Sequence, residues 1–155
     1  MKIGIGYDVH RTELGRKLFL GGVEIQSQFG LAGHSDADVL IHAVIDAILG
    51  ALGKGDIGEF FPDTDAKYKG ISSVILLKEI VGLLKKENKK ILNLDCNIIL
   101  ESPKLMQIKP LIKESLASIL QIDSSLVNVK AKTNEKLGYL GASEAIEAQA
   151  VVLVG

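Results

Sequence analysis

The chain has one cysteine, no tryptophan, three prolines, 5% aromatic residues and almost no net charge. Each shortage excludes something. A lone Cys96 closes no internal disulfide and has no CxxC partner for a thiolate metal site, which points to a reducing, cytoplasmic setting. Eighteen Lys and Arg against nineteen Asp and Glu leave a formal charge of -1. No global positive field is therefore available to hold nucleic acid or an anionic membrane surface, and any phosphate must be met locally. The scarce aromatics form no run, so there is no stacking platform of the kind that grips single strands. No apolar run approaches the roughly 18 residues of a membrane span, and MKIGIGYDVH reaches Asp8 and His10 too early for a signal peptide. A soluble, full-length protein is expected. The absence of a GxxxxGK[ST] loop leaves ATP-driven chemistry without support.

What remains is a globular composition: 155 residues, 47% of them apolar and 24% charged, enough for a single catalytic domain over residues 1–155. IGIGYDVH alternates and reads as a first strand, and KLFLGGVEI reads as a hairpin around Gly21 and Gly22. From Ala37 to Leu52 the segment ADVLIHAVIDAILGAL is apolar nearly all round and reads as a buried helix capped by Ser35 or Asp36. GKGDIGEFFPDTDAKYKG reads as a long functional loop. SSVILLKEIVGLLKKENKK and LMQIKPLIKESLASILQ read as amphipathic helices, the second with Pro110 in its first turn. ILNLDCNIIL places Leu92, Leu94, Cys96, Ile98 and Leu100 on one strand face, which makes Cys96 an inert core thiol. SLVNVKAKT and AIEAQAVVLVG are further strands, the last apolar enough to be covered on both faces. The interleaving predicts an α+β (α/β-like) fold, a mixed sheet with helices packed on one face.

The chemistry-bearing residues cluster. All three histidines, His10, His34 and His42, precede position 43. Asp8 and His10 share a strand face, and His42 projects from the buried helix, so one carboxylate and two imidazoles can form a three-ligand divalent-metal site with a fourth position open. Zinc and the facial triad of non-haem iron both fit that donor set. Asp38, His42 and Asp46 recur every four residues as a polar stripe, and burying them costs several kcal/mol unless something compensates. Asp38 or Asp46 is one turn from His42 and could accept its second ring N–H. His34 and Ser35 at a helix start suit an anion. Asp56-Ile57-Gly58 and Phe61-Pro62-Asp63-Thr64-Asp65 offer small and acidic groups to a ligand, and Lys132-Thr133-Asn134-Glu135 offers phosphate contacts with a carboxylate for Mg²⁺ or Mn²⁺.

Taken together, YDVHR, LGG, GHSDADVLIHAVIDAILGALGKGDIGEFFPDTD, SPKLM and VKAKTNEKLG, in this order and spacing, resemble the 2-C-methyl-D-erythritol 2,4-cyclodiphosphate synthase family over the whole length. The resemblance implies a homotrimer with active sites between subunits. It further implies cyclisation of 4-diphosphocytidyl-2-C-methyl-D-erythritol 2-phosphate with release of CMP, a step of non-mevalonate isoprenoid biosynthesis. Asp8, His10 and His42 match the zinc ligands of that family, and Asp8 and His10 also border the substrate. His34 and Ser35 match phosphate contacts, with His34 and Thr133 stabilising the transition state. Asp56, Ile57 and Gly58, with Phe61, Pro62, Asp63, Thr64 and Asp65, match the methylerythritol site. Leu100, Glu101, Ser102, Pro103, Lys104, Leu105 and Met106 match the cytosine pocket. Lys132, Thr133 and Asn134 match the diphosphate contacts, and Glu135 the ligand of a second cation, Mg²⁺ or Mn²⁺. Asn134 stands where Thr is common, Tyr139 replaces a common Phe among the substrate contacts, and Ala142 stands where an Arg often faces the trimer axis. A metal-dependent phosphohydrolase using the same Asp/His/His site, or a non-catalytic nucleotide-binding module, are the competing readings. Product analysis separates them.

Overall fold

In the computed structural model, which describes residues 1–155, the chain opens with a long strand, β1 (Lys2–Leu14). A hairpin follows, β2 (Leu18–Leu20) and β3 (Val23–Ile25). It turns on Gly21 and Gly22, at φ 62° and 80°. Two successive left-handed residues give the turn whose twist matches paired strands, and glycine adopts that conformation without penalty. Then come β4 (Phe29–Leu31), α1 (Val39–Leu52), the one-turn α2 (Ile57–Phe60), α3 (Ser73–Lys86) and β5 (Ile91–Ile99). The order closes with α4 (Lys109–Leu120), β6 (Val127–Lys132), the one-turn α5 (Gly138–Gly141) and β7 (Ala145–Val154).

Five strands form one sheet in the order β4-β1-β7-β5-β6, antiparallel throughout except for β5 and β6, which run parallel across the α4 crossover. The sheet is mixed, as the interleaved pattern predicts, and the fold is α+β. Strand alternation sorts its two faces. Leu94, Cys96 and Ile98 of β5, and Ile146, Ala148, Ala150 and Val152 of β7, lie buried on the helix side. On the opposite face Ile3 and Ile5 are 72% and 74% exposed, with Tyr7, Val9 and Val151 also open. The reading of β7 as covered on both faces therefore does not hold within one chain, because helices pack on a single side of the sheet.

Other details depart from the sequence reading for identifiable reasons. Helix α1 is capped by Asp38 instead of Ser35 or Asp36. The Asp38 carboxylate is fully buried and accepts from Ile41 N–H at 3.0 Å, from Gly21 N–H at 2.9 Å and from Gly22 N–H at 2.7 Å. One side chain thereby caps the helix and ties the hairpin to it, while burial pushes its pKa upward against those three donors. The stretch read as a loop from 53 to 70 contains α2 and a 3-10 turn at Ala66–Tyr68, capped by Asp56 and Asp65. In β5 an irregularity at Ile91/Asn93 shifts the register, so Ile91 takes a core place beside Leu94, Cys96 and Ile98. Burial pushes the Cys96 thiol up to about 12, as expected of an inert core residue.

The contact that positions the site is the seating of α1 on β1. Gly4 and Gly6 face the helix, and a Cβ on either would overlap α1 backbone, the Ala47 carbonyl for Gly4 and the Ala43 carbonyl for Gly6. Only glycine permits so close an approach. A Gly6→Ala variant should lose about 1–3 kcal/mol in urea unfolding through overpacking, and a denaturation midpoint equal to wild type would show that this seating is not tight.

Candidate active site

Asp8 and His10 continue the helix-facing side of β1 two and four residues beyond Gly6, and α1 presents His42 to them. Asp8 Oδ2 lies 2.9 Å from His10 Nε2 and 3.0 Å from His42 Nδ1, and the two ring nitrogens are 3.2 Å apart. The far nitrogen of each ring is engaged. His10 Nδ1 is 2.7 Å from the Ala32 carbonyl, which can only accept, so Nδ1 carries the hydrogen. His42 Nε2 is 2.9 Å from Ser73 Oγ and 3.3 Å from Ser35 Oγ. With the outer nitrogens donating, both inner nitrogens turn lone pairs toward a carboxylate oxygen. Three acceptors within 4.8 Å of one another repel unless a cation lies among them, so this donor set fits a divalent metal. Burial would raise Asp8, but when protons take the place of a cation on the inner nitrogens, hydrogen bonds from His10 and His42 outweigh it and hold the carboxyl down at about 2. Burial would lower His10, yet the same Asp8 contact raises it.

The stripe on α1 divides its labour differently from expectation. Neither Asp38 nor Asp46 accepts from His42. Asp38 is spent on the hairpin, and Asp46 accepts from Ile57 N–H at 2.7 Å, fastening the start of α2 to α1. Burial raises Asp46, opposed by that N–H and helped by the charge of Asp56. The second ring nitrogen of His42 goes instead to Ser73, at the start of α3.

Around the cluster opens a cavity of about 560 Å³. Asp8, His10 and His42 line it together with His34, Ser35, Ile57, Gly58, Phe61, Pro62, Asp63 and Thr64. The structure thus gathers the Asp8/His10/His42 set, the His34-Ser35 pair and most of the acidic loop candidates in one place. Asp56 and Asp65 act as caps, accepting from Glu59 N–H at 3.1 Å and Lys67 N–H at 3.0 Å, and are not among the wall residues. His34 Nε2 lies 3.3 Å from the Asp65 carbonyl, and Arg16 donates to the Gly33 and Ser35 carbonyls at 3.1 Å each, clasping the segment from both sides. Phe61 and Tyr68 meet edge to face at 5.4 Å, holding the loop closed on itself.

The remaining candidates lie elsewhere. Leu100, Pro103, Lys104, Leu105, Met106, Lys132 and Thr133 line a separate cavity of about 140 Å³ that shares no residue with the first. Glu101 is occupied in holding the following turn, accepting from Asn134 N–H at 2.7 Å and Lys136 N–H at 3.2 Å, and Ser102 does not line the cavity. Asn134 Nδ2 donates to the Leu137 carbonyl at 2.7 Å. Thr133 Oγ1 donates to Glu135 at 2.6 Å, and Glu135 is exposed at φ 52°. Tyr139 borders a third cavity beside Val9, Arg11, Glu144 and Ala145, and its hydroxyl donates to Glu147, which also takes the Tyr7 hydroxyl. Sequence reasoning missed Ser73, and Asp36 behind it, as support for the Asp8/His10/His42 cluster, and Tyr68 and Leu76 as cavity walls. Ser73 carries no local signal, because nothing in its neighbourhood announces a histidine from another helix.

A family model described as YgbB family matches residues 1–155. The chain is 55% identical over 153 residues to the 2-C-methyl-D-erythritol 2,4-cyclodiphosphate synthase of Caldicellulosiruptor bescii, covering 99% of this chain and 98% of that one. It is likewise 55% identical over 154 residues to the synthase of the same name from Clostridium acetobutylicum, covering 99% of each. Its fold superposes on IspF of Plasmodium falciparum, solved as a CDP complex, with TM-score 0.87 and 40% identity over 99% of this chain and 94% of that one. On the bifunctional IspDF of Campylobacter jejuni the TM-score is 0.95 with 42% identity, over 99% of this chain but 42% of that longer one.

Titration of metal-free protein with Zn²⁺ should show one tightly held ion per chain. His42→Ala removes one of three converging donors and should abolish that binding while the protein stays folded. Equal stoichiometry in the variant would remove His42 from the ligand set.

Proposed function

This chain belongs to the YgbB family, and from that membership and the site geometry we propose that it cyclises 4-diphosphocytidyl-2-C-methyl-D-erythritol 2-phosphate to the 2,4-cyclodiphosphate, releasing CMP. An oxygen of the 2-phosphate attacks the β-phosphorus. That new P–O bond closes the ring while the bond from the β-phosphorus to the oxygen shared with the α-phosphate breaks, and CMP departs with that oxygen. The nucleophile belongs to the substrate, so the protein needs no Ser or Cys nucleophile, in keeping with a Cys96 thiol sealed in the core. Its task is to bring two anions together and neutralise their repulsion.

The observation that carries this reading is the convergence of the inner nitrogens of His10 and His42 on Asp8, in the wall of the cavity that also holds His34, Ser35 and the 57–64 segment. Asp8, His10 and His42 would hold Zn²⁺, which when bound supplies Lewis-acid polarisation of a phosphate oxygen. His34 and Ser35 border the same space and orient the phosphates. Ile57, Gly58, Asp63 and Thr64 form the wall for the methylerythritol part, and the caps Asp56 and Asp65 fix that wall. Lys132 and Thr133 are assigned to the diphosphate and Glu135 to a second cation, Mg²⁺ or Mn²⁺. The small cavity lined by Leu100 and the 103–106 segment is assigned to the cytosine base, consistent with the CDP complex of the Plasmodium falciparum relative.

Residues 1–155 act as one catalytic domain, assembled as a homotrimer with each active site shared between neighbours. Two features support this. The cavity at Asp8, His10 and His42 and the small one at Leu100 have no wall in common, and the exposed apolar face of Ile3, Ile5, Tyr7 and Val9 calls for cover. No helix is long and apolar enough to cross a membrane.

Incubation with substrate in ¹⁸O-water should yield CMP and a cyclic diphosphate without label, whereas a labelled, ring-opened phosphate would mean hydrolysis. In the same assay His42→Ala should lose about 1,000-fold in kcat, the equivalent of several kcal/mol of lost charge stabilisation. Glu135→Gln should show a slower rate partly restored by high Mg²⁺ or Mn²⁺, and an unchanged cation dependence would relieve Glu135 of its assigned role.

A further inference from the structure

The two histidines of the cluster are oriented by different means. His10 is fixed by a backbone carbonyl, Ala32, which no side-chain change removes. His42 depends on side chains alone. Its Nε2 lies 2.9 Å from Ser73 Oγ, with Ser35 Oγ at the longer 3.3 Å. Ser73 is fully buried and hydrogen-bonded twice to Asp36: its backbone N–H donates to Oδ2 at 3.0 Å, and its hydroxyl donates to Oδ1 in a short contact. Asp36 is pinned in turn, with its own N–H on the Ile71 carbonyl at 3.0 Å and its Oδ1 accepting from Asp38 N–H at 3.2 Å.

The direction of this chain follows from donor bookkeeping. A carboxylate only accepts, so the single Ser73 hydroxyl hydrogen goes to Asp36. Toward His42 the serine then offers lone pairs only, and Nε2 must carry the hydrogen. Giving its proton to a carboxylate also makes Ser73 a better acceptor. The competing tautomer would place the hydrogen on Nδ1, where it would donate to Asp8 Oδ2 at 3.0 Å and occupy the space among the three converging donors.

We propose that Ser73 and Asp36 are positioning residues that hold His42 as the Nε2–H tautomer, keeping its Nδ1 lone pair free for a divalent cation shared with Asp8 and His10. This rests on the metal-centre reading of the preceding subsection. It deepens that reading by assigning to two residues of the 36–73 contact a role in metal affinity. Loss of such a partner behind a ligand typically weakens metal binding about 10- to 100-fold.

The test uses the full chain, with Zn²⁺ alone as the probe. In metal-free wild type, ¹⁵N chemical shifts of the His42 ring, recorded above the histidine titration range, should report hydrogen on Nε2 and a bare Nδ1. After Zn²⁺ is added, Nδ1 should shift as the coordinating atom. Ser73→Ala keeps the backbone N–H bond to Asp36, so its thermal unfolding should stay close to wild type. Its Zn²⁺ affinity, measured by competition with a chromophoric chelator, should fall about 10- to 100-fold, with the ring hydrogen redistributing toward Nδ1. Ser73→Thr retains the hydroxyl and should restore both readings. A wild type that binds no Zn²⁺ overturns the metal-centre reading and this proposal together. A wild type that binds Zn²⁺ while carrying the ring hydrogen on Nδ1 when metal-free, or a Ser73→Ala variant matching wild-type affinity, overturns this proposal alone.

Discussion

The closeness of α1 to β1 is the constraint on which the rest of the molecule depends. Gly4 and Gly6 have no side chain to hold the helix off, so the helix backbone rests against the strand backbone. Two and four residues further along the same face stand Asp8 and His10, where strand periodicity puts them. A strand and a helix packed at ordinary side-chain separation would leave His42 too far from Asp8 Oδ2 for the 3.0 Å contact observed. The glycines near the N-terminus are therefore part of the active-site geometry although they touch nothing chemical.

The polar stripe on α1 shows how a buried helix can carry charge. Asp38, His42 and Asp46 sit one turn apart in an otherwise apolar element, and each is compensated by a different partner. Asp38 takes three backbone N–H groups, His42 donates to Ser73 while its Nδ1 faces Asp8, and Asp46 takes Ile57 N–H. Each bond satisfies a group that would otherwise cost several kcal/mol to bury. Each also fastens one neighbouring segment to the helix: the β2–β3 hairpin, the β1 strand with the start of α3, and the 57–64 wall. The stripe is the axis around which the cavity is assembled.

Electrostatics follow the same economy. A chain of net charge near zero has no field to attract a polyanion, and the cavity walls add acidic Asp8 and Asp63. On the proposed reading, two phosphates held there need positive charge brought in by an ion, together with local donors such as His34 and Ser35. The strong depression of Asp8 to about 2 is the signature of a carboxylate built to stay ionised beside two imidazoles. The bare apolar face of the sheet has a parallel logic. Ile3, Ile5, Tyr7 and Val9 alternate with Gly4, Gly6, Asp8 and His10 along β1, so a single strand presents its site-lining groups on one side and an exposed apolar surface on the other.

Much of this was legible in the residues themselves. Periodicity and turn chemistry located every strand but the three-residue β4, the buried α1 helix, the Gly21-Gly22 turn and the core place of Cys96, because these depend on spacing and backbone propensity within a few residues. Asp8, His10 and His42 were legible as a donor set by residue type and by the cost of burying a polar stripe. Partnerships across the chain were not legible. That Asp38 binds the hairpin, that Asp46 holds Ile57, and that Ser73 serves His42 depend on which elements come to lie against one another, and a side chain with several possible acceptors gives no local sign of which it will meet. The sequence by itself determined the elements, the alternation of faces and the chemical nature of the site, since these are properties of neighbours along the chain. Only the tertiary structure decided who compensates whom and where the cavities open, since hydrogen-bond choice is settled by distances between segments separated by tens of residues.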